Sequence, residues 1–83
     1  VGSRKLSELK TGERGLIERL TGTGPFRRRL MEMGFVPGTE IEVEKFAPLR
    51  DPAEYILKGY HVSLRRDEAE KVLVRETEST GGD

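Results

Sequence analysis

The chain has no cysteine among its 83 residues and a single histidine, His61. Without cysteine there is no disulfide framework, no thiolate metal site and no thiol nucleophile. That agrees with a reducing cytoplasm, the compartment expected here. No apolar run nears the ~18 residues of a membrane-spanning helix, and no signal-peptide pattern opens the chain. The first residue is Val1 rather than methionine. This reads as a trimmed or processed start, with residues 1–5 a flexible segment that is partly a tag remnant. A surplus of one charge is missing too, since 15 lysines and arginines face 15 acidic residues. A dedicated nucleic-acid binder rests on a basic surplus, so no nucleic-acid partner is expected.

What remains is one small domain. A chain of this length buries ~60–65% of the surface that its unfolded form exposes, so the core is small. Charged residues make up 36% of it, which gives a well-solvated surface of both signs.

Along the chain, Leu6 and Leu9 stand at i, i+3 in a single helical turn, or a turn entering a strand, and can cover one end of a core. Residues 13–20 read as the first strand, with Leu16, Glu18 and Leu20 on one face and Ile17 opposite. Gly15 suggests a bulge just after it. Two glycines and a proline then make residues 21–25 a loop. Residues 25–33 read as a helix capped by Thr23 or Gly24, with Pro25 tolerated in its first turn. Phe26, Leu30 and Met33 form its apolar stripe. Gly34 ends it in a left-handed cap, and Phe35 supplies the apolar contact that commonly follows.

Val36 to Thr39 suits a type II turn, with Pro37 and Gly38 at its centre. It launches a strand over 40–46 with Ile41 and Val43 on one face and Glu40, Glu42 and Glu44 on the other. A loop with two prolines covers 47–52, a strand 53–58, and a turn falls at Gly59. Tyr60, Val62 and Leu64 alternate with His61, Ser63 and Arg65 in a further strand. Residues 67–71 fit one helical turn capped by Asp67, with Ala69 inside. A last strand covers 71–75, and 76–83, with no apolar residue, reads as a disordered tail. Five short strands, one real helix and two single turns predict a mainly β protein, a small closed or nearly closed barrel. Closure would remove exposed strand edges.

Leu30, Met33, Gly34, Phe35, Pro37, Gly38 and Thr39 stand at the spacing Leu-x-x-Met-Gly-Leu-x-Pro-Gly-Thr, with Phe35 in place of the second leucine. This segment resembles the signature of the FeoA family. Two further stretches resemble that family in the same order. They are Ala47, Pro48, Leu49, Asp51 and Pro52, and then Gly59, Tyr60, Val62, Ser63, Leu64, Arg65, Glu68 and Ala69. The resemblance covers roughly residues 6–74. It implies an SH3-like barrel of residues 6–75 with a helix inserted after the first strand. It also implies a small cytosolic protein that works with FeoB, the bacterial ferrous-iron membrane transporter with a GTPase domain.

Catalysis finds no support in the residue pattern. A nucleophile needs an adjacent base and an orienting third group, and His61 reads as an exposed strand histidine. Glu40, Glu42 and Glu44 lie on an open face, where nothing buries one of them to raise its pKa. Basic residues on a neighbouring strand would oppose them. His61 with a nearby glutamate is a weak candidate for zinc, and no specific iron site is expected. Gly22-Thr23-Gly24-Pro25 lacks the Gly-Lys-Ser/Thr of a phosphate-binding loop and reads as a turn. No cofactor is expected.

Interaction candidates are clearer. Arg27, Arg28 and Arg29, with Arg65 and Arg66, form the main concentration of positive charge. They read either as a solvated face balanced by Glu32 or as a docking patch for an acidic partner or anionic headgroups. Tyr55 and Tyr60 read as core residues. Pro48 and Leu49, on a loop, read as partner contacts, as in the shallow grooves of SH3-type barrels.

The expected function is a non-enzymatic accessory of ferrous iron uptake that docks on the cytosolic part of FeoB. A homodimer is compatible with so small a barrel. Two other readings stay open. One is the barrel of a metal-dependent transcriptional repressor, which would need a helix-turn-helix ahead of residues 1–5. The other is a small RNA-binding barrel using the arginines, against which the neutral charge and few aromatics weigh.

Overall fold

The computed structural model describes residues 3–76. Its strands are β1 (Arg4–Lys5), β2 (Arg14–Leu20), β3 (Glu40–Phe46), β4 (Ala53–Leu57), β5 (Tyr60–Leu64) and β6 (Val72–Glu76). Helix α1 (Gly24–Glu32) lies between β2 and β3, and the single turn α2 (Arg66–Ala69) between β5 and β6. A 3-10 turn (Leu6–Glu8) follows β1. All pairings are antiparallel, in the order β1-β6-β2-β3-β4-β5. The sheet curls around one core, and its end strands, β1 and β5, do not pair. The 3-10 turn and α2 pack together.

Strand alternation fills that core. Ile41 and Val43 of β3, Ala53, Tyr55 and Leu57 of β4, Val62 and Leu64 of β5, and Val72 and Val74 of β6 all point inward. Leu6 and Leu9 close one end and Leu30 and Phe35 are also fully buried, so the helix and its cap pack into the same core. Among the described residues no charged or polar one is buried, as expected of a core too small to compensate one.

The helix ends as its sequence predicts. Gly34 has φ +105°. Its N–H donates to the Met31 carbonyl at 3.0 Å, and that of Phe35 to the Leu30 carbonyl at 3.0 Å. These two bonds make a Schellman cap, with Leu30 and Phe35 as its apolar pair. The Thr39 N–H then donates to the Val36 carbonyl across the Pro37–Gly38 turn. Ile17 and Gly38 bind this turn to β2 at 2.8 Å each.

Several expectations need correction. The register of β2 slips between Ile17 and Arg19 rather than next to Gly15. Ile17 therefore faces the core, Glu18 is exposed and Leu16 is half-buried. The segment 1–5 contains a strand, because Arg4 and Lys5 pair with Val74 and Leu73. Arg4 also forms an ion pair with Glu76, and Glu76 is the last residue of β6 rather than the first of a tail. The rest of the expected tail, 77–83, lies outside the described residues. Tyr60 is not a core residue. It is 42% exposed, and its hydroxyl donates to the Met33 carbonyl at the end of α1. Nor does Asp67 cap α2. Arg65 does, with the Glu68 carboxylate accepting its backbone N–H at 2.9 Å.

Two outcomes test this packing. A Cβ at Gly34 would stand 3.1 Å from the Tyr60 hydroxyl in a left-handed conformation. Gly34→Val is therefore expected to destabilise the domain by ~1–2 kcal/mol or more in urea denaturation. Burial, aided by the negative charge of Asp51, pushes the Tyr55 phenol up to about 12 from its ordinary 10.0. The unfolded chain releases that proton first, so stability is expected to fall as pH rises from about 10 to 12. Phenolate absorbance should show the late step, and Tyr55→Phe should remove it.

Candidate interaction surface

Helix α1 presents its arginines unequally. Thr23, in an extended conformation, precedes the helix, and Pro25 sits in its first turn. The stripe of Phe26, Leu30 and Met33 faces the core. Arg27 and Arg28 are exposed and form no salt bridge among the described residues. With Gly24, Met31 and Glu32 they line a shallow groove on the helix surface. Met31, 39% exposed, was missed in the sequence because it lies off the apolar stripe. Arg29 instead turns to α2 and donates to Glu68 at 2.7 Å. Its guanidinium lies 5.9 Å from the Phe26 ring, and Lys71 Nζ lies 5.1 Å from it.

Glu68 gathers several of these charges. It accepts the Arg65 backbone N–H and the Arg29 guanidinium. These hydrogen bonds, then the positive charges of Arg29 and Arg65, hold its carboxyl below the usual carboxylate range, although partial burial works the other way. The expected patch of five arginines thus divides. Arg29 is partly neutralised by Glu68, which bonds Arg65 through its backbone N–H. The Arg66 side chain approaches Glu70 at 3.9 Å, which is worth little at so exposed a position.

The loop of residues 47–52 carries the other candidates. Ala47 accepts the Arg50 N–H at 2.7 Å and donates its own to Pro52 at 2.9 Å. Arg50 takes φ +68° and lays its guanidinium 4.6 Å from the centre of the Phe46 ring, a cation–π contact. Asp51 accepts the Arg66 backbone N–H at 3.0 Å and so ties the loop to α2. Pro48 and Leu49 stay at the tip, with Leu49 89% exposed. An apolar side chain is thus held in water by a fastened loop. Beneath it, Phe46, Arg50, Tyr55 and Arg66 help line a pocket of about 40 Å³, room for a water and no larger ligand. The role of Arg50 had no sequence signal, since it rests on a positive φ rare outside glycine.

His61 is exposed on β5, as its alternation predicts, and its Nδ1 lies 2.7 Å from Glu44 Oε1 on β3. Arg14 of β2 lies beside Glu40 and Glu42 at 3.9 and 3.6 Å, the opposing cation expected for that acidic face.

The model of the FeoA domain matches residues 4–76. The chain belongs to the FeoA domain family. It is 53% identical over 70 residues to a Fe(2+) transport protein A/Fe(2+) transporter FeoB fusion protein of Porphyromonas gingivalis. That match takes in 84% of this chain and 8% of the length of that relative. The solution structure of a FeoA protein from Chlorobium tepidum is 40% identical with a TM-score of 0.86, covering 95% of this chain and 75% of that one. A zinc complex of Stenotrophomonas maltophilia FeoA, described as a procaryotic SH3 domain protein, is 28% identical with a TM-score of 0.75. It covers 89% of each chain. The mainly β, SH3-like architecture read from the sequence therefore holds, with six strands rather than five.

Glu68 gives this surface an acid-sensitive joint. A carboxyl held below its ordinary range adds stability at neutral pH that is lost as pH falls through its folded value. Glu68→Gln, which still accepts the Arg65 N–H, is expected to lose less stability on acidification than the parent. Melting temperatures compared from neutral pH down through the carboxylate range would check this.

Proposed function

We propose that this FeoA domain is a non-enzymatic accessory of ferrous iron uptake that docks on the cytosolic, guanine-nucleotide-binding part of a FeoB-type transporter. The relative from Porphyromonas gingivalis carries the reading, since its name joins transport protein A and FeoB in one polypeptide. Fusion holds two modules at high effective concentration. To act on the transporter the domain needs a docking surface for it. The Stenotrophomonas maltophilia protein is likewise described as a candidate ferrous iron transport activating factor. A cytoplasmic location follows from such a partner.

The surface proposed for docking is the tip of the 47–52 loop together with the free face of α1. Leu49 supplies the apolar anchor and Pro48 a rigid neighbour. Arg27 and Arg28 carry charge not already spent inside the domain, and long-range attraction to an acidic partner surface would speed encounter. Arg29 spends its guanidinium on Glu68, while the backbone N–H groups of Arg65 and Arg66 fasten α2 and the loop through Glu68 and Asp51. Docking regulates the transporter if the domain prefers one of its conformations, because a ligand shifts an equilibrium only by its differential affinity.

Titration against the isolated soluble part of the cognate FeoB, with and without guanine nucleotide, tests this. Leu49→Asp, and separately Arg27→Glu with Arg28→Glu, are each expected to weaken binding about tenfold or more, ~1.4 kcal/mol. Their melting temperatures should not move, since these side chains are exposed. Absence of binding in every nucleotide state would overturn the proposal.

A further inference from the structure

The outer face of β3, β4 and β5 brings together Glu44, Glu54 and His61. One ligand atom from each, two carboxylate oxygens and an imidazole nitrogen, lies within 4.8 Å of the others. The ladder explains the convergence. Glu54 pairs with Ser63 and Ile56 with His61, so Glu54 and His61 are diagonal neighbours on one face. The register of β3 against β4 slips between Val43 and Lys45, which leaves Glu44 as the extra residue opposite Glu54. A bulge of this kind re-aims a side chain, and here it sets Glu44 beside both partners.

Lys45 stands opposite Glu54 in the ladder, but among the described residues no lysine or arginine forms a salt bridge with Glu44 or Glu54, and His61 is the one basic group within salt-bridge distance of either. Both glutamates are half-buried and His61 is exposed. Two carboxylates this close, partly desolvated and without a fixed cation, repel each other. A bound cation would relieve that.

We propose that Glu44, Glu54 and His61 form a binding site for a first-row divalent transition metal ion of the zinc, manganese or ferrous type. Imidazole with two carboxylates is a borderline donor set that suits these ions. Magnesium favours an all-oxygen octahedron, and soft copper(I) favours sulfur. Bonds of ~2.0–2.2 Å put tetrahedral ligands about 3.3 Å apart. Rotation of the two glutamate side chains closes the remaining distance without moving a strand. Three protein ligands leave at least one position to water, so the site is open and exchangeable. It is independent of the docking reading, because its residues lie on other elements and its test needs no partner.

The test is titration of the metal-free domain with zinc by calorimetry and with manganese by NMR. The expected result is one saturable site, with paramagnetic broadening by manganese centred on residues 44, 54 and 61. His61→Ala and Glu54→Gln should each lower zinc affinity at least tenfold, with circular dichroism unchanged, and excess magnesium should not compete. Binding weaker than ~1 mM, scarcely a carboxylate–cation contact in water, would overturn the proposal. So would broadening centred elsewhere, such as on Glu40 and Glu42, or unaltered affinity in both variants.

Discussion

Between Glu32, the end of α1, and Glu40, the start of β3, the chain must turn a helix into a strand. Everything else in the domain depends on how that is done. The left-handed Gly34 lets two backbone N–H groups close the last helical turn, and the same reversal drives Phe35 into the core beside Leu30. Ile17 of β2 then receives the Pro37–Gly38 turn from both sides, its N–H donating to Thr39 and its carbonyl accepting from Gly38. The cap therefore sets where β3 begins against β2. A shift of one residue would turn Ile41 and Val43 outward and Glu42 and Glu44 inward. Tyr60 adds a third fastening, its hydroxyl donating from β5 to the Met33 carbonyl. A helix end, a hairpin and β2 thus meet at one place.

The second constraint is electrostatic and local. With charges balanced overall, what matters is which ones are used up internally. Glu68 draws in Arg29 and the Arg65 backbone, and Asp51 draws in the Arg66 backbone. These contacts are modest singly. Together they string α1, α2 and the 47–52 loop into one surface, and among the described residues they leave Arg27 and Arg28 without a salt-bridge partner and Leu49 in water. A knob such as Leu49 gains nothing from folding. Holding it in an ordered loop lowers the entropy cost of presenting it to a partner.

Much of this was legible in the sequence, for identifiable reasons. The helix, its cap, the Pro37–Gly38 turn and β3 to β5 follow from residue types that few other conformations accept, and from strict alternation in a half-buried sheet. What escaped shares a different character. β1 is two residues long and gains its identity from pairing with Leu73 and Val74, about seventy positions away, which no local pattern encodes. The slip near Glu18 depends on how β2 fits β6. Tyr60 follows the alternation of β5 but sits at the strand's edge, where its ring reaches the end of α1 instead of the core. Among the arginines, sequence proximity grouped five residues that tertiary contacts then divided.

The same slip that hid part of β2 from a local reading has a counterpart in β3 with chemical consequences. A regular ladder gives each outward residue one neighbour on each side, and repulsion between adjacent glutamates is then normally relieved by a basic residue opposite. Arg14 does this for Glu40 and Glu42. One residue pair further along, the bulge breaks that arrangement: Lys45 stands opposite Glu54 without forming a salt bridge among the described residues, and His61 is the basic group that reaches Glu44. Irregular pairing costs the sheet a ladder hydrogen bond, and it also returns Phe46 to the core side, where it pairs with the buried Ala53 and packs against the core. Its other effect lies on the outer face, where three side chains with metal-binding atoms converge. Two half-buried carboxylates and an imidazole brought within 4.8 Å of one another are the physical reason to look for a cation there.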